Sequence, residues 1–178
     1  EEDEDEYAVA LGGGGGPGAG AGTDWHPAAP PMCGVVSLVV CRDALVSGSD
    51  DARIKVWDTL SWTCRRVLDA KNGIWTMRVM RGGFELVSGS VDGTLRVWDT
   101  ETWECTHTLT HHKSNQSGVC ALATLEGKLV SSGDKQILVW GPDWSLERAL
   151  EAKGVWSLCT LKSRLVSGDL NGQIKVWD

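Results

Sequence analysis

One stretch constrains this chain more than any other, because it recurs. Leu86 to Asp99 reads LVSGSVDGTLRVWD, Leu45 to Asp58 reads LVSGSDDARIKVWD, and Leu165 to Asp178 reads LVSGDLNGQIKVWD. A further version, LVSSGDKQILVWG from Leu129 to Gly141, is one residue shorter. The tryptophans that mark them, Trp57, Trp98, Trp140 and Trp177, lie 41, 42 and 37 residues apart. Such a period means one supersecondary unit copied along the chain. Each copy has apolar faces it cannot bury alone and is stabilised by stacking on the next.

The residues inside one period say what that unit is. Gly34-Val35-Val36-Ser37-Leu38-Val39-Val40 is a short β-branched run, and Ala44-Leu45-Val46-Ser47-Gly48-Ser49 is a second. Arg53-Ile54-Lys55-Val56-Trp57 alternates with period two, and Cys64-Arg65-Arg66-Val67-Leu68 is a fourth run. Polar or glycine-containing turns separate them, which predicts four short strands in an antiparallel meander. A period of roughly 40–45 residues that closes on Trp-Asp marks the WD40 repeat. From about Gly34 to the end the chain resembles that family. The resemblance implies an all-β chain, a WD40 β-propeller with about four blades at 34–70, 71–110, 111–151 and 152–178, the last incomplete.

Residues 1–33 differ in kind. Glu1 to Glu6 are all acidic, Gly12 to Gly16 follow, and four of the chain's five prolines lie here. So little apolar surface predicts a disordered tail, read as a solvated linker before an acidic interaction tail. The net charge is −7, and removing those six acids from 24 leaves 18 against 17 basic residues. A near-neutral body argues against nucleic acid held on a basic surface. No run approaches the ~18 apolar residues of a membrane span, and no signal-peptide pattern opens the chain. A cytoplasmic location is expected, with the nucleus as the alternative.

The six cysteines form no C-x-x-C pair. Cys64 and Cys105 fall at equivalent strand positions, so buried reduced thiols are expected and neither metal nor disulfide. Nine of the ten tryptophans follow the repeat, Trp25 alone standing outside it, and a structural role is expected for all nine. No P-loop, dinucleotide fingerprint or nucleophile elbow is present, so no cofactor and no catalytic set are expected. The pair His111 and His112 has no nearby acidic or thiol cluster with ligand spacing.

The WD40 resemblance also implies a buried relay of Asp, His, Ser or Thr, and Trp in each blade. Asp51, Asp92 and Asp134 match its acid, with Asn171 substituted in the fourth unit; Ser47, Ser88 and Ser167 match its hydroxyl, with Ser131 an approximate match. Trp57, Trp98, Trp140 and Trp177 match its indole. Ala70-Lys71 and Ala152-Lys153 stand where Gly-His would be, and only His111 or His112 could fill the place before the third unit. The relay is therefore expected to be incomplete.

Without catalytic groups, a rigid repeat presenting loops reads as a non-catalytic scaffold for protein–protein interaction. The residue before each turn acid, Asp50, Val91, Gly133 and Leu170, is expected to project towards one rim, with Lys71, His112 and Lys153 beside it. Mostly apolar anchors suit a protein or peptide partner better than phosphate, which favours arginine clusters. The compact repeats, such as CTHTLTHHKSNQSGVCALATLEGKLVSSGDKQILVWG, also resemble the WD-repeat tails of RING-type ubiquitin ligases and alpha-type kinases. That implies, as the alternative, a substrate-recognition part whose catalytic domain lies outside this chain. The fourth unit stops at its third strand, which predicts a piece of a larger propeller that self-associates in isolation. The other reading has Tyr7 to Leu11 return as the missing strand.

Overall fold

The computed structural model describes residues 34–110, 118–133 and 135–177. β1 (Val35–Cys41), β2 (Ala44–Ser49), β3 (Arg53–Asp58) and β4 (Cys64–Asp69) pair antiparallel in that order. The second sheet runs β5 (Ile74–Met80), β6 (Glu85–Ser90), β7 (Leu95–Asp99) and β8 (Cys105–Leu109), with a 3-10 turn at Arg81–Gly83. The third holds β9 (Ala121–Leu125), β10 (Lys128–Ser132), β11 (Gln136–Trp140) and β12 (Leu146–Glu151). The fourth holds three strands, β13 (Val155–Leu161), β14 (Arg164–Asp169) and β15 (Ile174–Trp177). The fold is all-β, four consecutive blades of a propeller with first strands side by side, β1 on β5, β5 on β9, β9 on β13.

Strand alternation divides each sheet into a forward and a backward face. In β3, Ile54 and Val56 turn forward and meet Met77, Leu86 and Trp98, which look back from the second sheet. Leu95 and Val97 turn forward in β7 and meet Leu122, Leu129, Leu138 and Trp140 of the third. Ala123, Val130 and Ile137 then meet Val155 and Leu165 of the fourth. The core is thus three separate inter-sheet layers, which is why the repeated side chains are the buried ones.

One expectation fails on burial. Cys41 is buried, and burial pushes its thiol pKa up, but Cys64, Cys105 and Cys159 are exposed. Cys64 and Cys105 lie on β4 and β8, the outermost strands, whose residues mostly face solvent. Of the nine tryptophans that follow the repeat, Trp62 and Trp156 are exposed. Trp156 stacks on Trp75 at 6.3 Å between centroids, a pair from the first strands of the fourth and second sheets.

The sheets also approach through bare backbone. A Cβ on Gly73 would stand 2.8 Å from the Asp50 carbonyl oxygen, and one on Gly118 would stand 2.5 Å from that of Ser90. A backbone bond crosses the second of these places, Val119 N–H to Ser90 O at 2.9 Å. Backbone cannot step aside as a side chain can. Gly118→Ala should therefore cost about 1–3 kcal/mol, as overpacking does. Gly34→Ala meets nothing within 4 Å and should cost less than about 0.5 kcal/mol. Urea melts of both variants compare the two losses.

Candidate interaction rim and its relay

The hydroxyl–indole half of the relay forms in every sheet. Trp57 Nε1 donates to Ser47 Oγ at 2.8 Å, Trp98 to Ser88 at 2.9 Å, Trp140 to Ser131 at 2.8 Å and Trp177 to Ser167 at 2.9 Å. Ser131 is thus a full member, because the missing residue falls in the following turn and leaves the strand pairing intact. In each unit the two partners lie on adjacent strands and on one face, which their alternation dictates.

The acid half departs from the expected pattern. Asp51 Oδ1 accepts the N–H of Arg53 at 3.0 Å and so closes its own turn. Asp92 accepts both the N–H and hydroxyl of Thr94, and its other oxygen accepts from Asn72 of the preceding inter-sheet loop. Asn72 therefore makes the loop-to-turn link that the WD40 pattern assigns to a histidine. In the fourth sheet the turn acid is Asp169, which accepts from the N–H groups of Asn171 and Gln173. The recorded bond of Asn171 is made through its backbone. Asp134, His111 and His112 lie outside the described residues.

The rim forms where the β2–β3, β6–β7 and β14–β15 turns meet the residues that lead into β1, β5 and β13. Asp50 N–H bonds Gly34 O at 3.2 Å, and Leu170 N–H bonds Gly154 O at 2.9 Å, as Val91 does with Gly73. The side chains of Asp50, Val91 and Leu170 are exposed, Val91 at 43% and Leu170 at 68%. Gly133, in the β10–β11 turn, is buried and its N–H bonds Gln136 O, so the third sheet offers no such anchor. Lys71 is exposed and pairs with Asp69 at 2.8 Å. Lys153 is exposed on a groove of about 550 Å³ that it shares with Lys135, Glu151, Asp169, Asn171 and Lys175.

The opposite edge is held by carboxylates that sequence reasoning did not assign. Asp58 Oδ1 accepts the N–H groups of Leu60 and Ser61 at 2.8 Å each, and Asp99 Oδ1 those of Glu101 and Thr102. The third sheet has Gly141 there, and Asp143 takes over by accepting from Ser145. The next turn residue is a tryptophan in the left-handed region each time: Trp62 at φ 54, Trp103 at φ 61 and Trp144 at φ 65. The repetition of Trp four or five residues after the marker was visible, and only its backbone state was not.

The family model "WD domain, G-beta repeat" matches residues 33–58, 62–99, 103–141 and 144–178. No curated protein matches significantly. Among solved structures, the computationally designed Ika4 protein is 30% identical with a TM-score of 0.71, over 82% of this chain and 91% of that one. U3-55K is 22% identical with a TM-score of 0.74, over 84% of this chain and 50% of that one. The RRP9 WD40 repeats are likewise 22% identical with a TM-score of 0.74, over 84% and 49%. This chain spans about half the length of the latter two.

Ser88→Ala leaves the indole N–H of buried Trp98 without its acceptor, and should cost about 1–3 kcal/mol. Ser47→Ala should cost less, because half-buried Trp57 reaches water; thermal melts of the two variants test the order. A second expectation concerns acid. The pKa of Asp58 is held low by the Ser61 N–H and Arg65, that of Asp99 by the Thr102 N–H, and that of Asp143 by Ser145. A carboxylate whose folded pKa is depressed contributes stability that is complete above its unfolded pKa of about 3.9 and fades as pH falls towards the folded value. Urea midpoints should therefore hold steady above about pH 5 and drop below about pH 4. Asp99→Asn should flatten that drop.

Proposed function

We propose, on the premise that the chain belongs to the WD domain, G-beta repeat family, that it is a non-catalytic scaffold binding a protein or peptide on the rim carrying Asp50, Val91 and Leu170. WD40 repeats generally mediate protein–protein interaction, and that much holds for the family. The observation that carries the narrower reading is the rim itself. Backbone bonds to Gly34, Gly73 and Gly154 fix three turns, while their outermost side chains stay in solvent. Fixed apolar anchors lose little entropy when covered, and a polar surround of Lys71 and Lys153 suits an interface margin. Nucleic acid is disfavoured by the near balance of charge in the repeats, and a cytoplasmic location, with the nucleus as the alternative, belongs to the same proposal. No observation among the described residues favours the ubiquitin-ligase or kinase reading over general protein recognition.

The test is a peptide-display selection against the full chain, followed by affinity measurement on two variants. Val91→Asp with Leu170→Asp should weaken selected peptides by at least about tenfold, the loss of roughly 1.4 kcal/mol expected for a buried anchor. Glu101→Ala with Thr102→Ala, on the opposite edge, should leave affinity unchanged. Peptides indifferent to the rim pair but lost with the opposite pair would overturn the assignment.

A further inference from the structure

The first and second inter-sheet layers end differently at the edge opposite the rim. In the second layer Met80 and Trp144 are buried in one cluster, and Arg81 lies over that indole at 5.2 Å. His107 tilts against the same ring at 6.3 Å, and the tryptophan is left 6% exposed. Strand registers give the counterparts in the first layer. Val40 pairs with Leu45 as Val79 pairs with Leu86, so Cys41 stands in the place of Met80. Val56 faces Arg66 as Val97 faces His107, so a guanidinium takes the place of the imidazole. Trp103 takes the place of Trp144, at the same left-handed turn position.

These counterparts leave the first layer open. Cys41 has a shorter side chain than methionine, and its thiol is held by the Gly83 carbonyl at 3.4 Å. Arg42 lies over Phe84 at 4.4 Å, not over the tryptophan. Trp103 stays half-buried beside a cavity of about 340 Å³, walled by Cys41, Ala44, Val56 and Arg66. Both sheets that bound it have four strands, so the space comes from side-chain size and direction.

Most charges on the wall are matched to one another. Arg42 meets Glu101 at 3.4 Å, and Arg65 meets Asp43 at 3.1 Å. The Arg66 guanidinium has no partner among the described residues, and the Trp103 indole N–H has no acceptor among them. We propose that the cavity is a second peptide site, binding a partner's acidic side chain on Arg66 and a neighbouring apolar side chain on Trp103. A carboxylate pairs with a guanidinium through two parallel hydrogen bonds, and an apolar ring packs well on an indole. Phosphate suits the cavity less, since its larger charge would also face Asp43 and Glu101. The volume lies at the lower end for ligand sites and suits one or two side chains. Val91 and Leu170 lie on the other edge, so this site stands or falls separately from the rim.

Titration of the full chain with two blocked tetrapeptides, acetyl-Ala-Phe-Glu-Ala-amide and its Gln counterpart, decides it. The glutamate peptide should bind at least about tenfold more tightly, as a charge-assisted pair allows. Arg66→Gln should remove that preference and leave the glutamine peptide unaffected. Arg148→Gln, which takes the same charge from the matching position of the third sheet, should change neither. The Trp103 indole N–H resonance, identified by its loss in Trp103→Phe, should shift on binding. Cys41→Met introduces the residue type that closes the second layer, and should abolish binding of the glutamate peptide. Should that variant fail to fold by circular dichroism, Arg66→Gln, made at an exposed side chain, carries the test alone. Absence of binding, equal affinity for the two peptides, equal losses from Arg66→Gln and Arg148→Gln, or tighter binding of a phosphoserine counterpart would each overturn the proposal. Val91→Asp with Leu170→Asp should leave this titration unchanged, which separates a failure here from a failure of the rim.

Discussion

The indole of Trp98 meets two demands at once, and the sheets are built around that combination. Its ring fills the gap between the first and second sheets, where a smaller side chain would leave a void. Its N–H would be an orphan in that gap, and Ser88 on the neighbouring strand accepts it. The bond is specific to one strand pairing. Trp98 faces Leu86 and Ser88 faces Arg96, so the indole and hydroxyl meet diagonally on one face. A slip of one residue would turn one of them to the other face and leave a buried donor unpaired. The same device, repeated at Trp57, Trp140 and Trp177, fixes β3, β11 and β15 against their partners.

Because no sheet has an interior of its own, stability is a property of neighbours. The third sheet, with company on both sides, buries Trp140, Ile137, Leu138 and Val130 almost completely. Residues of the same type on the first and fourth sheets differ in exposure only because one side is uncovered. Lys55 shows the consequence at the small scale: its ammonium lies over Trp57 at 5.7 Å, on the face where the second sheet's Trp98 is covered by the first sheet. A cation above an indole shields the ring while staying hydrated.

The legible part of this fold was the part that repeats. Ser47 and Trp57 were matched through the WD40 resemblance, and they meet because both lie in strands whose alternation puts them on one face. Asn72 was not, because it sits in an aperiodic loop and makes a contact that the family pattern gives to another residue type. Asp169 escaped for a related reason. It moved the turn-capping acid two residues earlier, from the place of Asp92 to the place of Ser90, and backbone N–H groups accept either geometry. Burial of the cysteines was misjudged since composition ranks thiols as core residues, whereas Cys64 and Cys105 lie on outer strands with no further sheet to cover them. The repeat pattern assigned no role to the glycines at 73 and 118. Only the distance to the neighbouring backbone shows that a methyl group has no room there.

The proposed recognition on the rim would not endanger the fold, because backbone bonds alone fix its turns. At Asp50, Val91 and Leu170 the backbone N–H is committed to a carbonyl across the loop, so the chain path is set by groups every amino acid possesses. The side chain is left in solvent and contributes almost nothing to the layers beneath. Substitution there changes the chemistry shown to a partner at small cost in stability. Gly133 is the instructive exception. Its turn is one residue shorter, its N–H closes the turn on Gln136 within the same hairpin, and the glycine itself is buried and carries no side chain. One deletion in a repeat therefore removes the exposed side chain from this turn while its Ser131–Trp140 bond stays intact. Variation in turn length, more than variation in the strands, is what can make one such rim differ from another.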